Sequence, residues 1–512
     1  MKKSTIQNLA EARYQQILQQ QEQLIEGWKP ILNACNKWNE EHRGEPLDKH
    51  QMRNIAQCLE NAYIEGSFRQ HSKMFEATTE DNISFLGVQL PVIAAIVPSL
   101  VLNDVAVVQA LDRRTGSVFY LDVKAGSTKG GVTSGDVLMD AKTGHARTKT
   151  NRLYAAAIVE NETLVDEGGG GAATYTGTVD FAPGLINLEY VTIKDSSGTV
   201  LGRSNSSGTI TDATSGSTGV TGTITAAGVY SIDFSATSLG SGNGATITYH
   251  YQYDLPTDAY GNNDGVPQMD INISSSAIES IDFPVRSRYS IGAMFDLKKA
   301  HGMDLESEVV KYLGGEVRWT VDHYGIDLIE TAATGGYDPI AGANFSPATA
   351  ITAWNANVGS GEPWIWKKEE FIDRIYEGSN NIQSKTLRAI GNFIIADLNV
   401  CRVISQHSKF KGNANITGKK APTGPVNIGT LDNRFTVVQD PFLTTNRYLV
   451  GYKGDHFLNA GMIYAPYIPL FASPTLTTAD LIAQKGFMSS AGFKITNAGM
   501  FTYGSISGTY FS

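Results

Sequence analysis

Cysteine is scarce in this chain. Cys35, Cys58 and Cys401 are the only three in 512 residues. They are odd in number, widely spaced and without a CxxC pair, so they support neither a disulfide framework nor a zinc ribbon, and reduced thiols are expected. A basic excess is missing too. Lys and Arg number 41 against 51 Asp and Glu, a net charge of -10. A general nucleic-acid binder, whose affinity comes from neutralising phosphates, is therefore not expected. Long apolar runs are also absent. The longest, 90–102, falls short of the ~20 residues that span a bilayer and contains Pro91 and Pro98. The chain opens with Lys2 and Lys3 and continues into polar residues, so no secretory signal and no membrane role is expected.

Motifs for chemistry are lacking as well. No HExxH, CxxC or Walker-type loop occurs. The glycine-rich run 126–131 holds Lys129 but lacks the GK[ST] ending and its strand-to-helix frame. Gly240, Gly242 and Gly244 read as turn glycines, because no βαβ frame surrounds them. Asn262-Asn263-Asp264-Gly265 resembles the start of a calcium loop, yet no Glu closes it at the required distance. The nine histidines are scattered, and His323 reads as a packed residue. No catalytic residue, cofactor or metal ligand is assigned. The chain reads as architecture rather than as an enzyme.

What is present suits a large α+β protein. Hydrophobic residues make up 41% of the chain, charged residues only 18%, and Gly numbers 52, a composition of ample core and many turns. At ~150 residues per domain, three or four domains are expected. Ile6, Leu9, Ile17, Leu24, Trp28 and Ile31 form one helical stripe, and Met52, Ile55, Leu59 and Ala62 another that begins near Pro46 and Asp48. Either the pair packs on its own chain, or it is an arm that binds an assembly or scaffold. Residues 85–102 read as an extended, wrapping segment. Strands at 118–123 and 154–159 would flank the polar loop 125–150 in a long hairpin that cannot bury itself. Residues 164–256 carry eight acidic side chains against two basic. Strand signals at 175–181, 188–193, 221–225, 229–234 and 245–253 predict a small antiparallel sandwich there. A helix over 305–333 would be ~43 Å long. Two more helices are expected over 366–380 and 384–406, then strands between 435 and 464.

Three blocks carry a family resemblance. The run Val450-Gly451-Tyr452-Lys453-Gly454, with Asn459-Ala460-Gly461-Met462-Ile463-Tyr464-Ala465-Pro466-Tyr467-Ile468-Pro469-Leu470, resembles the C-terminal signature of T-even-type tailed-phage major capsid proteins. Gly87 to Pro91, Val105 to Gln109 and Thr115 to Leu121 resemble that family's block after its N-terminal arm. Arg286-Ser287-Arg288, Asp296-Leu297 and Ala300 to Glu308 resemble the start of its spine helix. The blocks are collinear.

The resemblance implies the Hong Kong-type phage capsid fold. It would comprise a helical N-terminal segment (1–80), an N-arm and E-loop (81–163) and an inserted β-sandwich domain (164–257). A peripheral domain with the spine helix (258–345) and an axial domain (346–512) would follow. It also implies a shell protein of the virion, assembled in the host bacterial cytoplasm. Its partners would be itself in hexamers and pentamers, with vertex, scaffold and decoration proteins, and it would enclose DNA without sequence-specific binding. The alternatives are a vertex paralogue and an adhesion protein acting through the sandwich. The E-loop would span 113–152 and touch a neighbouring subunit through Arg113, Arg114, Lys124, Lys129, Asp136, Asp140, Lys142 and Arg147. The family's prohead protease cuts after Glu in a Leu/Ile-x-Glu-Ala/Gly pattern. Leu9-Ala10-Glu11-Ala12 and Leu24-Ile25-Glu26-Gly27 fit it. Met74-Phe75-Glu76-Ala77 stands at the expected final cut, between Glu76 and Ala77, with Met in place of Leu or Ile. Left uncut, the segment would clamp neighbouring subunits.

Overall fold

The N-terminal helices follow the periodicity in the sequence. The computed structural model describes residue 19 and residues 22–43, 46–71, 100–129, 132–139, 153–164, 174–179, 186–195, 197–213, 220–234, 244–252, 266–301, 305–338, 343–357, 363–413, 424–455, 457–473, 476–477 and 482–508. Helices α1 (Lys29–Arg43) and α2 (Lys49–His71) pack together. Their connection is pinned by Asn36, whose Oδ1 accepts the Leu47 N–H at 2.6 Å. Leu32, Cys35, Ile55 and Leu59 join one buried cluster with Val317, Val321 and Phe493, and Leu24, Trp28 and Ile31 lie half-buried against it. The described part of the stripe is therefore covered by the chain's own core. Ile6, Leu9 and Ile17 lie outside the described residues, as do 72–99.

Two compact units divide the chain, residues 1–120 with 274–512 and residues 121–273. After the short helix α3 (Leu102–Val105) and strand β1 (Val107–Val108), the chain passes into the second unit within β2 (Thr115–Ala125). There β3 (Val137–Met139) pairs with the end of β2. Eight strands follow. They are β4 (Ile158–Thr163), β5 (Thr174–Thr178), β6 (Ile186–Lys194), β7 (Val200–Ser204), β8 (Thr209–Asp212), β9 (Thr221–Ile224), β10 (Val229–Asp233) and β11 (Thr246–Tyr251). They form one antiparallel sheet in the order β4-β11-β6-β7-β8-β9-β10-β5. Strict alternation in β11 buries Ile247, Tyr249 and Tyr251, as a half-covered strand should. Val159 at one edge and Tyr175 at the other share a single core, so the sheet wraps round its own apolar face.

Two of its hairpin turns are built alike. Asp195 Oδ1 accepts the Ser197 and Thr199 N–H groups at 3.0 and 2.8 Å. Asn205 Oδ1 accepts those of Ser207 and Thr209, both at 3.0 Å. Gly198 and Gly208 hold φ of 88° and 80°, conformations that glycine adopts without steric cost.

The chain returns to the first unit within β12 (Met269–Ser290). This corrects the expected hairpin. The sheet neighbours of β2 are β12 and β3, whereas residues 158–163 belong to the eight-stranded sheet. Alternation marked both runs as strands, but it carries no information on which strand each would meet.

Helices α4 (Ile291–His301) and α5 (Leu305–Thr334) follow. The long helix is present as expected. Val317, Val321, Gly325, Ile329 and Ala332 form its buried stripe, at the three- and four-residue steps of one helical face. Gly325 permits close approach, because a Cβ there would lie 2.4 Å from Leu102 Cδ2. Strands β19 (Met462–Ala472) and β20 (Ile482–Ile495) complete the first sheet, in the order β1-β19-β20-β12-β2-β3, with the short strand Leu476–Thr477 beside β20. An aromatic chain joins the helix to it, with Tyr324 and Phe493 ring centroids 5.0 Å apart and Phe493 and Tyr464 5.5 Å apart.

The second sheet of this unit runs β13-β21-β18-β14-β17-β16-β15. Its strands are β13 (Trp354–Asn355), β14 (Phe393–Ala396), β15 (Phe410–Gly412), β16 (Val426–Leu431), β17 (Phe435–Gln439), β18 (Arg447–Gly451) and β21 (Phe501–Ser507). Helices α6 (Trp364–Thr386) and α7 (Leu398–Ser405) flank it. Phe371, Ile375, Val400 and Ile404 pack with Ile394 and Val437 from the strands. Here the expected helix over 384–406 is corrected. Helix α6 continues to Thr386 and stops at Leu387, whose φ is 56°. The next apolar run forms β14, buried on both faces. A short run apolar on every side cannot be told from a helix by periodicity.

Candidate functional site

The C-terminal signature is a packing device, built from the close approach of backbones. Strand β18 ends at Gly451, where a Cβ would meet Phe393 Cζ at 2.3 Å. At Gly454 a Cβ would lie 1.9 Å from the Asn459 carbonyl oxygen, and at Gly461 2.8 Å from Phe501 Cζ. Between them the Lys453 main chain is held by Asn392. Its Oδ1 accepts the Lys453 N–H at 2.8 Å and its Nδ2 donates to the Lys453 carbonyl at 2.9 Å. Asn459 donates to the Tyr452 hydroxyl at 3.1 Å. The run thus turns the chain from β18 in the second sheet into β19 in the first. Nearby, Arg447 Nη1 lies 2.7 Å from Glu330 Oε1, tying β18 to α5.

The first sheet's edge is closed by α2. Asn54 Nδ2 donates to the Val108 carbonyl at 3.0 Å, and Asn61 Nδ2 to those of Leu111 and Tyr467 at 2.7 and 3.0 Å. An edge strand otherwise presents open carbonyls as a template for pairing. Cys58, on the same helix, is buried, and burial pushes its thiol up to about 12. Cys35 is pushed up to about 11, again chiefly by burial. Both are free and kept from the thiolate form that reacts.

The residues expected at the E-loop prove unlike one another. Arg113 is exposed. Arg114 Nη1 lies 3.1 Å from Asp282 Oδ2 within its own unit. Lys124 is half-buried in β2, its main chain opposite Val137. Asp136 stabilises a turn, its Oδ2 accepting the Thr133 N–H at 2.8 Å. Asp140, Lys142, Arg147, Glu76 and Ala77 lie outside the described residues.

Lys129 is a correction. Rather than offering its charge to a neighbour, it is 3% exposed. Its amino group donates to the Tyr154 carbonyl at 2.9 Å and to that of Ala156. It also stands 5.1 Å from the centre of the Tyr251 ring. Burial lowers it from its ordinary 10.5 to about 8. Tyr251 is pushed up to about 12, by burial first and by Tyr154 second. Sequence reading missed Tyr154, whose single hydroxyl proton can go to the Ser127 or the Gln268 carbonyl, at 2.7 and 2.8 Å. A lone aromatic beside a polar loop gives no sign of that role. Lys129 looked solvated because its neighbours in sequence are Gly, Ser and Thr.

Comparison with known proteins points one way. The family model described as Major capsid protein Gp23 matches residues 83–507. The major capsid protein of Vibrio phage KVP40 is 28% identical over 243 residues, 44% of this chain and 44% of that protein. That of Enterobacteria phage T4 is 28% identical over 232 residues, 44% of this chain and 43% of that protein. The aligned part is thus less than half the length of either curated relative. Among solved structures, the capsid of Myoviridae phage XM1 aligns with a TM-score of 0.31 at 10% identity, covering 47% of this chain and 78% of that one. The capsid of cyanophage P-SCSP1u aligns at 0.32 and 10%, covering 47% and 76%.

Proposed function

This chain belongs to the Gp23 major capsid protein family, and from that premise we propose that its copies assemble into the closed head shell of a tailed phage. The observation that carries the reading is the reach of the family match, which takes in both units and the signature whose glycines set the turn from β18 into β19. We propose the Hong Kong-type architecture within it. Support comes from the 30-residue helix α5 laid across a sheet, and from β2 and β12, which carry the chain out to the second unit and back. In this reading the first sheet with α5 is the peripheral domain and the second sheet with α6 and α7 the axial domain.

The protein's role is then mechanical. Large obligate interfaces bury roughly 2,000–5,000 Å², and a shell holding DNA needs contacts of that scale on every copy. A net charge of -10 lets the wall enclose a polyanion without gripping it. The β2–β3 segment with Arg113, Arg114, Lys124 and Asp136 is proposed to touch a neighbouring subunit. Rim charges of this kind contribute ~0–1 kcal/mol each and act on specificity and encounter more than on affinity. Cleavage after Glu76 is proposed as a maturation step, and an intact mass beginning at Ala77 in mature particles tests it.

Electron microscopy of the purified protein tests the shell itself. Rings or closed shells are expected. A protein that stays monomeric at every concentration and salt tried would overturn the assignment.

A further inference from the structure

Two buried polar atoms face each other where α5 meets the segment 440–446 that joins β17 to β18. His323 Nδ1 and Asp440 Oδ2 are both shut off from solvent, and neither has a hydrogen-bond partner among the described residues. They stand 3.7 Å apart, within ion-pair reach but too far for a hydrogen bond. Asp440 is 0% exposed, and its other oxygen accepts the Phe442 N–H at 3.0 Å. Rings hold the imidazole in place. Trp319 stacks on it with planes 7° apart and centroids 5.6 Å apart, and Phe442 stands edge-on to it at 5.6 Å. The other charged groups nearby are acidic or already engaged. Glu330 holds Arg447 at 2.7 Å. Asp397 accepts the Asn446 N–H at 3.0 Å. Asp322, beside His323 on α5, accepts the Leu102 N–H at 3.2 Å and lies 3.8 Å from Arg318. The Cys401 thiol is pushed up by burial first, then by Asp397 and Asp440.

We propose that His323 and Asp440 form a latch, worked by one proton, that fastens the 440–446 strap to α5. It rests on the fold alone and not on the shell reading. With the proton present, the pair is imidazolium facing carboxylate or imidazole facing carboxylic acid. In either form a small approach brings the two atoms to the ~2.8 Å of a charge-assisted bond. Without the proton, the carboxylate is buried with no counter-charge, which costs far more than burying a neutral group. Imidazole is the side chain that ordinarily titrates between pH 5 and 8. Burial is also the first cause that raises Asp440 above the ordinary carboxylate range. A carboxyl raised on folding favours the folded arrangement at lower pH, and that advantage is lost as pH rises through the raised value. The latch therefore tightens in mild acid and slackens above neutrality. Its release frees Phe442, already 59% exposed, and leaves the Glu330–Arg447 pair as the neighbouring tie between the second sheet and α5.

Hydrogen exchange of the full-length protein tests this, read by mass spectrometry on peptides covering 440–446 and corrected for intrinsic exchange. Protection of the strap is expected to be about fivefold or more greater at pH 5.5 than at pH 8. Asp440→Asn keeps an oxygen for the Phe442 N–H, and His323→Gln keeps a polar side chain without the charge. In each variant the ratio is expected to fall to about one. Circular dichroism checks that both remain folded. The wild-type ratio decides even where a variant does not fold, because equal protection at the two pH values overturns the proposal. A ratio that survives in His323→Gln assigns the proton to Asp440 by itself and also overturns the latch. So does an equal ratio in peptides from β20, which would mark a change of the whole unit rather than of the strap.

Discussion

Replacing Lys129 by Met should destabilise the second unit by an amount that depends on pH, and the pH dependence is the decisive part. The substitution keeps most of the aliphatic stem and deletes the amino group. It leaves the Tyr154 carbonyl without the amine that reaches it, while the Ala156 carbonyl keeps the Tyr251 hydroxyl at 3.3 Å. A buried acceptor left unmade costs about 1–3 kcal/mol, and that loss is expected once the amine is neutral. Below that point a second effect opposes it. Burial lowers Lys129 from 10.5 to about 8, so the folded chain binds fewer protons than the unfolded chain between those values. Wild-type stability therefore rises with pH across that window. At about 1.4 kcal/mol for each tenfold change in proton affinity, the rise amounts to about 3 kcal/mol. The two proteins should thus lie within about 2 kcal/mol of each other at pH 7, and the wild type should lead by about 1–3 kcal/mol at pH 10.5. Subtilisin pulse proteolysis in urea, with fragment masses that identify cuts in the second unit, measures the open population at each pH. A difference that stays constant from pH 7 to 10.5 would refute the account of Lys129 as a buried cation.

Two further outcomes follow from close contacts and turn chemistry. Gly454→Ala sets a methyl group 1.9 Å from the Asn459 carbonyl and Gly451→Ala sets one 2.3 Å from Phe393 Cζ; each should cost about 1–3 kcal/mol as overpacking. All six tryptophans lie outside the second unit, so a lower midpoint in tryptophan-monitored melting reads the first unit directly. Asp195 is held below its ordinary pKa by the Ser197 hydroxyl first and the Thr199 N–H next. Its turn should be intact above the usual carboxylate range and loosen as pH falls through the lowered value, while the matching Asn205 turn does not respond; amide shifts of Thr199 and Thr209 distinguish the two.

Much of the architecture was legible without coordinates. The α5 stripe could be read because a helix buried along one side must repeat its apolar residues at steps of three and four. The strands of the second unit could be read because a half-covered sheet alternates, as Ile247, Tyr249 and Tyr251 do. The signature from Val450 to Leu470 was legible as a pattern, although the reason for its glycines was not. Local rules failed wherever the outcome depended on a distant partner. Nothing near residue 393 reveals that Phe393–Ala396 will be sandwiched between β17 and β18, since burial on every side erases periodicity. Nothing near residue 158 says that β4 will pair with β11 rather than β2. The amine of Lys129 lies among Gly, Ser and Thr in sequence, yet it is buried by Tyr154 and Tyr251, 25 and 122 residues away. Side-chain period and turn chemistry are properties of neighbours along the chain, and they can be read from residue order alone. Strand pairing and the burial of a single charge depend on which distant surfaces meet, and these were settled by the packed fold.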